Sequence, residues 1–167
     1  MRNRFYNTTY IIHDKDLIGS YRRVVVHPME RAFIQSGKDF PVFEIDDVTF
    51  GLLICFEIAF PELTRIIALK GASIIFVPAS TPEEADYLWE VRLKARAIDN
   101  QLFVVGVNRC GKVGNETYIG RSMVVSPSGD IIYECNDNEE IKTIEIDLAE
   151  IMKERSREPT FSEFEIE

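Results

Sequence analysis

The residue with the clearest chemical potential is Cys55, which ends the almost unbroken apolar run Val48–Cys55 and precedes a predicted helix start at Pro61. A buried strand, a short turn and a helix together lift a side chain out of the sheet edge toward a crevice. A thiol held near positive groups or N–H donors ionises more readily and becomes a nucleophile. The backbone N–H of Phe56 is placed to donate to an oxyanion that develops there. This layout alone also fits a small buried hydrophobic residue, the usual setting of a free cysteine.

The cysteines and histidines of the chain lack the spacing of a metal site. The chain has three cysteines, Cys55, Cys110 and Cys135, and two histidines, His13 and His27. No two cysteines have the CxxC spacing and their number is odd, so a disulfide framework and a zinc site are both disfavoured. A cysteine–histidine hydrolase would need His13 or His27 close to Cys55, and that alternative stays open at this point.

Composition and charge limit the class of protein. The chain has 167 residues, of which 46% are hydrophobic and 28% charged, as expected of one soluble globular domain. A net charge of −9 without a basic stripe disfavours nucleic acid and anionic membranes as partners. No apolar run approaches the roughly 20 residues that span a bilayer, and no signal peptide is evident. We therefore expect a cytoplasmic protein.

Strands and helices alternate through the middle of the chain, which predicts an α/β fold. The predicted strands are Thr8–His13, Ile18–Val26, Val42–Ile45, Val48–Cys55, Ser73–Val77, Leu102–Val107, Tyr118–Ser126, Ile131–Glu134 and Ile141–Ile146. Helices are predicted over Pro61–Lys70 and Glu83–Asn100 and from about Asp147. The hairpins near both ends indicate a mixed sheet rather than a parallel one.

Two further features are predicted from side-chain pattern. The second helix is expected to turn inward the apolar residues Leu88, Val91, Ala95 and Ile98. The acidic tail, residues 159–167, is expected to be an arm or a frayed end.

The segment ICFEIAFPEL, residues 54–63, resembles the nucleophile signature of the nitrilase, or carbon–nitrogen hydrolase, superfamily. In that family a buried strand delivers a cysteine, followed by an aromatic residue, an acid and a phenylalanine-proline-glutamate helix start. Other segments resemble family motifs in the expected order: Tyr21-Arg22-Arg23, Ala68–Ala72, Arg96–Asn100, Phe103–Val105, Asn108-Arg109, Gly120-Arg121-Ser122 and Ser126–Gly129. The likeness covers nearly the whole chain.

The resemblance implies an α/β fold, a four-layer α-β-β-α sandwich with mixed sheets, in which residues 1–167 form a single partial domain. It places the family's first strand, opening helices and catalytic glutamate before the hairpin seen here, so we expect an N-terminally truncated fold. Members usually associate through their helical layers. We therefore expect a homo-oligomer, or a complex with a chain that supplies the N-terminal portion, with contact through Pro61–Lys70 and Glu83–Asn100.

The resemblance also implies a chemistry in which glutamate, lysine and cysteine cleave non-peptide carbon–nitrogen bonds without a metal or an organic cofactor. Carried over, Cys55 is the nucleophile that forms a thioester. Glu30 stands at the position of a second glutamate that helps to place substrate or water, although it fits a surface glutamate beside Arg31 equally well. Arg23 occupies the lysine position and keeps the positive charge, but its fork is larger and essentially never deprotonates. Lys38 does not match the motif.

Ala79, Ser80 and Thr81 follow a buried strand and are expected to line the substrate pocket, unless they form an ordinary loop. Glu57 is expected to be structural and to bond backbone groups around the turn. Together these features predict an amidohydrolase, an amidase rather than a true nitrilase, acting on a small amide, carbamoyl or nitrile compound. The alternative is a non-catalytic subunit or fragment that needs a partner chain. Arg23 and the missing glutamate favour that alternative, whereas Cys55 and its signature favour the enzyme.

Overall fold

A computed structural model describes residues 5–163. Within this range the chain forms ten strands and three α-helices. The strands are β1 (Thr8–His13), β2 (Asp16–Arg22), β3 (Val42–Ile45), β4 (Val48–Leu52), β5 (Ile74–Ala79), β6 (Phe103–Asn108), β7 (Cys110–Val113), β8 (Glu116–Ile119), β9 (Met123–Val125) and β10 (Ile131–Glu134). The α-helices are α1 (Pro61–Leu69), α2 (Asp86–Asn100) and α3 (Ala149–Arg157), and short 3-10 helices cover Pro28–Glu30, Cys55–Ala59 and Glu83–Ala85.

Six strands form one mixed sheet in the order β10-β9-β6-β5-β4-β3. Its three central strands, β4, β5 and β6, run parallel, and every other neighbouring pair is antiparallel. The hairpins β1–β2 and β7–β8 form separate two-stranded sheets. This architecture confirms the predicted α/β fold with mixed sheets.

The six-stranded sheet is covered on both faces. Along β4 and its extension, Leu53 points into a core with α1 and α2, whereas Phe50 and Leu52 point into a second core. The second core includes residues of the β1–β2 hairpin and Ile151 of α3. Because successive residues of a strand face opposite sides, burial on both faces explains why this segment is apolar at nearly every position, as predicted.

Gly51 sets how closely α1 approaches the sheet. A Cβ added at this position would lie 2.1 Å from Cγ2 of Ile67, a fully buried residue of α1. No larger residue fits without moving the helix, so the glycine is required by packing. The helix itself begins at Pro61, as predicted from the preference of proline for the first helical turn.

Three predicted strands differ markedly from the structure. The predicted strand Tyr118–Ser126 is divided between β8 and β9, which lie in different sheets. β2 ends at Arg22 rather than Val26, because the N–H groups of Val24 and Val25 donate to the Glu57 side chain instead of to a strand. The predicted strand Ile141–Ile146 is wrong, since this stretch pairs with no strand in the described part of the chain. Ile146 nevertheless packs against the second core. The apolar residue at this position therefore reflects burial of a side chain and not the pairing of a strand.

The predicted inward face of α2 is also wrong. Val91 is 63% exposed and Ile98 is 48% exposed, while Trp89, Leu93 and Ala97 are buried. The helix is rotated because Trp89 and Leu93 pack directly over Gly106 of β6, where an added Cβ would clash with both. The predicted contact between copies through α1 and α2 stays a prediction.

The C-terminal helix begins at Ala149, two residues after the predicted start near Asp147, and Leu148 rather than Asp147 is its N-cap residue. The Asp147 carboxylate nevertheless accepts the N–H of Ala149. In the described part of the predicted acidic tail, Phe161 lies under the guanidinium of Arg155 and packs against the first core. Residues 164–167 of that tail lie outside the described residues. Between residues 5 and 163, no helix is long and apolar enough to cross a bilayer.

Candidate active site

Cys55 stands at the point where β4 gives way to a helical turn. The last sheet hydrogen bond before it runs from the Leu53 N–H to the Phe76 carbonyl. Cys55 then adopts the left-handed backbone conformation, with φ +50°, and opens the 3-10 helix Cys55–Ala59. A non-glycine residue in this region is destabilised by about 1–2 kcal/mol. Such residues concentrate at active sites, where the surrounding structure holds them in place.

Hydrogen bonds to a buried glutamate hold this turn in place. We call this group of residues the Glu57 junction; it consists of Glu57, Tyr21, Val24, Val25 and Ile54. The Glu57 side chain is fully buried. One carboxylate oxygen accepts the Tyr21 hydroxyl at 2.8 Å and the N–H groups of Val24 and Val25 at 2.7 and 3.0 Å. The other oxygen accepts the N–H of Ile54 at 2.8 Å. Glu57 therefore joins the residue before Cys55 to the loop that carries Arg23, which agrees with the structural role predicted for it.

Tyr21 completes this junction from β2 and is almost entirely buried. Burial raises the pKa of Tyr21 well above its ordinary value, and the neighbouring charge and hydrogen bond of Glu57 raise it further. The phenol therefore remains a hydrogen-bond donor to Glu57 throughout the neutral and mildly alkaline range.

Above the Glu57 junction lies a cavity of about 850 Å³, which we call the Cys55 cavity. All seven residues predicted from the sequence to form a site line it: Arg23, Glu30, Cys55, Phe56, Ala79, Ser80 and Thr81. Most of them follow the carboxyl ends of the parallel strands β4 and β5, where α/β sheets commonly bind ligands. Lys38 and His13 are not among the lining residues.

Arg23 and Glu30 form an ion pair on the wall of the Cys55 cavity. Arg23 Nη1 lies 2.8 Å from Glu30 Oε2, and the Arg23 side chain is only 4% exposed whereas Glu30 is 32% exposed. Arg23 Nε also donates to the Val25 carbonyl at 3.1 Å. Arg23 is therefore a fixed, largely desolvated cation, and Glu30 is its partially exposed counter-charge rather than an isolated surface residue beside Arg31.

The loop from Ala79 to Thr81 is held by β6. The Thr81 N–H donates to Oδ1 of Asn108 at 2.9 Å, and the Asn108 N–H donates to Ser122 Oγ at 2.8 Å. Pro78 is tolerated within β5 because β4 has already ended opposite Phe76, which leaves β5 paired on one side only.

Several residues of the cavity wall were not predicted from the sequence, among them Trp89, Arg92 and Glu116. Trp89 and Arg92 are three residues apart on α2 and so share a face, but no local signal directs that face toward Cys55. Glu116 comes from the β7–β8 hairpin, whose position depends on a bridge between Pro82 and Tyr118.

His27, considered above only for a cysteine–histidine hydrolase, also lines the cavity. Its ring meets Phe56 edge-on at 4.8 Å between centroids, and its Nδ1 accepts the N–H of Met29. Among residues 5–163, no group of three or more histidine, cysteine or acidic side chains is arranged to hold a metal ion.

Comparison with known proteins gives consistent results. The family model for carbon-nitrogen hydrolases matches residues 2–155. The chain is 36% identical to a protein from Staphylococcus aureus named "Hydrolase in agr operon", over 99% of this chain and 65% of that protein. It is 35% identical to the 2-oxoglutaramate amidase of Bacillus subtilis, over 95% of this chain and 62% of the amidase.

Among solved structures, Saccharomyces cerevisiae Nit3, a member of branch 10 of the nitrilase superfamily, matches with a TM-score of 0.86 and 30% identity, over 92% of this chain and 58% of Nit3. The chain thus spans about three fifths to two thirds of the length of these relatives.

Proposed function

Because this chain belongs to the carbon-nitrogen hydrolase family, we propose that it hydrolyses a small non-peptide amide, carbamoyl or nitrile compound through a thioester on Cys55. One observation carries the proposal: a cysteine in the left-handed conformation at a strand end opens on a cavity whose wall also holds a buried cation, Arg23. We infer an amidase rather than a nitrilase, and the 2-oxoglutaramate amidase relative supports that choice.

We assign the roles as follows. The Cys55 thiolate attacks the amide carbon, the carbon–sulfur bond forms, and the carbonyl oxygen becomes an oxyanion. Arg23 and the Phe56 N–H stabilise this oxyanion; the N–H lies in the first turn of a helix, where backbone donors lack intrahelical acceptors. The proton given up by the Cys55 thiol passes to the amide nitrogen, the carbon–nitrogen bond breaks and ammonia leaves. Water then hydrolyses the thioester, which gives the carboxylic acid and restores the thiol.

Glu30 is proposed to position substrate or water beside this centre. The Oε2 atom that faces Arg23 is buried, but the Glu30 side chain as a whole is 32% exposed, so we infer that its other oxygen is available to a ligand in the Cys55 cavity. The loop from Ala79 to Thr81 is proposed to contact the substrate. The alternative function, a non-catalytic subunit, is not favoured by the comparisons, since the relatives described above include a hydrolase and an amidase.

The first experiment measures the alkylation rate of each cysteine against pH by mass spectrometry with iodoacetamide. Burial, followed by the hydrogen bond to Glu140, raises the pKa of Cys135, so that thiol should react slowly and serve as an internal control. We expect Cys55 to react at least about 10-fold faster than Cys110 and Cys135 at pH 7. A rate for Cys55 no higher than that of the other two would contradict an activated nucleophile.

The second experiment measures ammonia release from a panel of small amides. Cys55→Ala should lower kcat/KM by at least about 10³-fold, since the nucleophile is lost. Cys110→Ala is the matched control and should retain activity. Equal activity of both variants would exclude the thioester mechanism, whereas selective labelling of Cys55 without turnover of any amide would favour the non-catalytic subunit.

A further inference from the structure

Of the two histidines in the chain, His27 lines the Cys55 cavity and His13 does not. The His27 side chain is half-buried, and its ring meets the ring of Phe56 edge-on, with 4.8 Å between the centroids. Phe56 directly follows Cys55 in the chain, and its N–H is one of the proposed oxyanion donors. His27 therefore lies beside the part of the cavity where the reaction is proposed to occur.

The hydrogen bonding of the His27 ring fixes where its proton lies. Nδ1 accepts the backbone N–H of Met29 at 3.4 Å, which makes His27 the N-cap of the short helix Pro28–Glu30. A ring nitrogen that accepts a hydrogen bond carries no proton, so the proton of this imidazole lies on Nε2. In this tautomer Nε2 cannot accept the proton of Cys55, which argues against His27 as the base of a cysteine–histidine hydrolase.

The Nε2–H group of His27 is a donor that the protein leaves unused. Among residues 5–163, the bond to Met29 is the only hydrogen bond of this side chain. Glu30, the acid three residues further on, is directed at Arg23 instead, with 2.8 Å between Oε2 and Nη1. Nε2 is not one of the fully buried polar atoms without a partner, so a ligand in the Cys55 cavity can reach it.

We propose that His27 is a further catalytic residue, whose Nε2–H donates a hydrogen bond to the substrate carbonyl oxygen as that oxygen becomes an oxyanion. This inference rests on the proposed amidase function and adds an uncharged donor to Arg23 and the Phe56 N–H. A donor that the protein already holds in position stabilises developing negative charge without reorganisation of water. His27 keeps its proton throughout, so no covalent bond forms or breaks at this residue.

Two amide substitutions separate the roles of the two ring nitrogens. His27→Asn keeps a favoured N-cap residue with an acceptor near the position of Nδ1, but it removes the donor at Nε2. His27→Gln carries an amide N–H near the position of Nε2. We expect His27→Asn to lower kcat for a small amide roughly 10²-fold with little change in KM, because the bond forms in the transition state. His27→Gln should recover most of this loss.

The matched control is His13→Asn, which changes a histidine outside the cavity wall and should leave kcat unchanged. His27→Asn should also leave the urea midpoint of unfolding unchanged, since it keeps the helix cap. A kcat for His27→Asn equal to that of wild type would overturn the inference. The same loss of kcat in His27→Gln as in His27→Asn would also overturn it, because a packing role would then suffice.

Butyraldehyde provides a measurement that does not depend on turnover. The Cys55 thiol adds to the aldehyde: a carbon–sulfur bond forms, and the carbonyl oxygen takes up the thiol proton, which gives a hemithioacetal. We expect the aldehyde to protect wild-type Cys55 from iodoacetamide, with at least about 10-fold more aldehyde needed for His27→Asn and a wild-type response for His27→Gln.

The aldehyde measurement keeps this inference separate from the proposed function. Protection that depends on His27, without turnover of any amide, would reject the amidase proposal and keep the His27 donor. Equal protection of wild type and both variants, or protection of none of them, would overturn the inference even if amides were hydrolysed.

Discussion

Glu57 and Glu30 both bind the segment that follows β2, yet they are held in opposite ways. Glu57 is fully buried and accepts four hydrogen bonds from protein donors, whereas Glu30 is 32% exposed and has one ionic partner, Arg23. A carboxylate whose acceptor sites are filled by the protein has little capacity for a ligand. The Glu57 junction thus stabilises the fold around Cys55, whereas Glu30 on the wall of the Cys55 cavity can still accept hydrogen bonds from a ligand.

The Glu57 junction should show the larger effect on stability. Glu57→Ala strands the Tyr21 hydroxyl and three backbone N–H groups, and each buried donor without a partner costs about 1–3 kcal/mol. We expect the free energy of unfolding in urea to fall by at least about 3 kcal/mol.

The matched control for Glu57→Ala is Glu44→Ala, at an exposed position of β3, which should change the free energy of unfolding by no more than about 0.5 kcal/mol. Similar values for the two variants would mean that Glu57 is not the support described here.

Substitutions in the wall of the Cys55 cavity should lower activity more than stability. Arg23→Ala removes the buried cation proposed to stabilise the oxyanion, and we expect kcat/KM for a small amide to fall roughly 10²- to 10³-fold. Arg23→Lys should keep more activity because it retains the charge. The control is Arg22→Ala, which removes an exposed arginine that lies over the Tyr6 ring. If Arg22→Ala lost as much activity as Arg23→Ala, the assignment of Arg23 would fail.

The smallest effect expected is that of Tyr21→Phe, which removes one of the four donors to Glu57 and about 1 kcal/mol of stability at pH 7. Its pH dependence is more informative. Because the folded-state pKa of Tyr21 lies above the unfolded value of about 10, the folded protein holds a proton that the unfolded chain releases. The stability that the protonated Tyr21 gives the folded state is fully present below pH about 10 and is lost as the pH rises above that value.

Wild type should therefore lose up to about 1.4 kcal/mol more per pH unit than Tyr21→Phe between pH 10 and 12. Urea unfolding at several pH values measures this difference, with Tyr10→Phe, at an exposed position of β1, as the control. Parallel pH profiles for wild type and Tyr21→Phe would show that the phenol is not held protonated by the junction.

The elements closest to Cys55 could be predicted because their signals are local. Proline in the first turn marks the start of α1 at Pro61, and the apolar run before Cys55 marks a strand buried on both faces. The order of motifs along the chain then indicated the family and seven residues that the fold brings to one cavity.

The errors fall where contacts distant in sequence decide. The pattern of α2 contains two apolar stripes, and only the close approach of Trp89 and Leu93 to Gly106 selects one of them. β2 ends early because a glutamate more than thirty residues away takes its backbone donors. The stretch from Ile141 to Ile146 has strand composition but no pairing partner among the described residues.

The sequence by itself determined the place of Cys55 at the end of a buried strand, the α/β class and most element boundaries, because hydrophobic period, proline and turn residues act within a few positions of the chain. Only the tertiary structure decided which charges meet. The pairing of Arg23 with Glu30 cannot be read from spacing. Electrostatic partners are set by the distance between charges in space, and those distances exist only once the chain has folded.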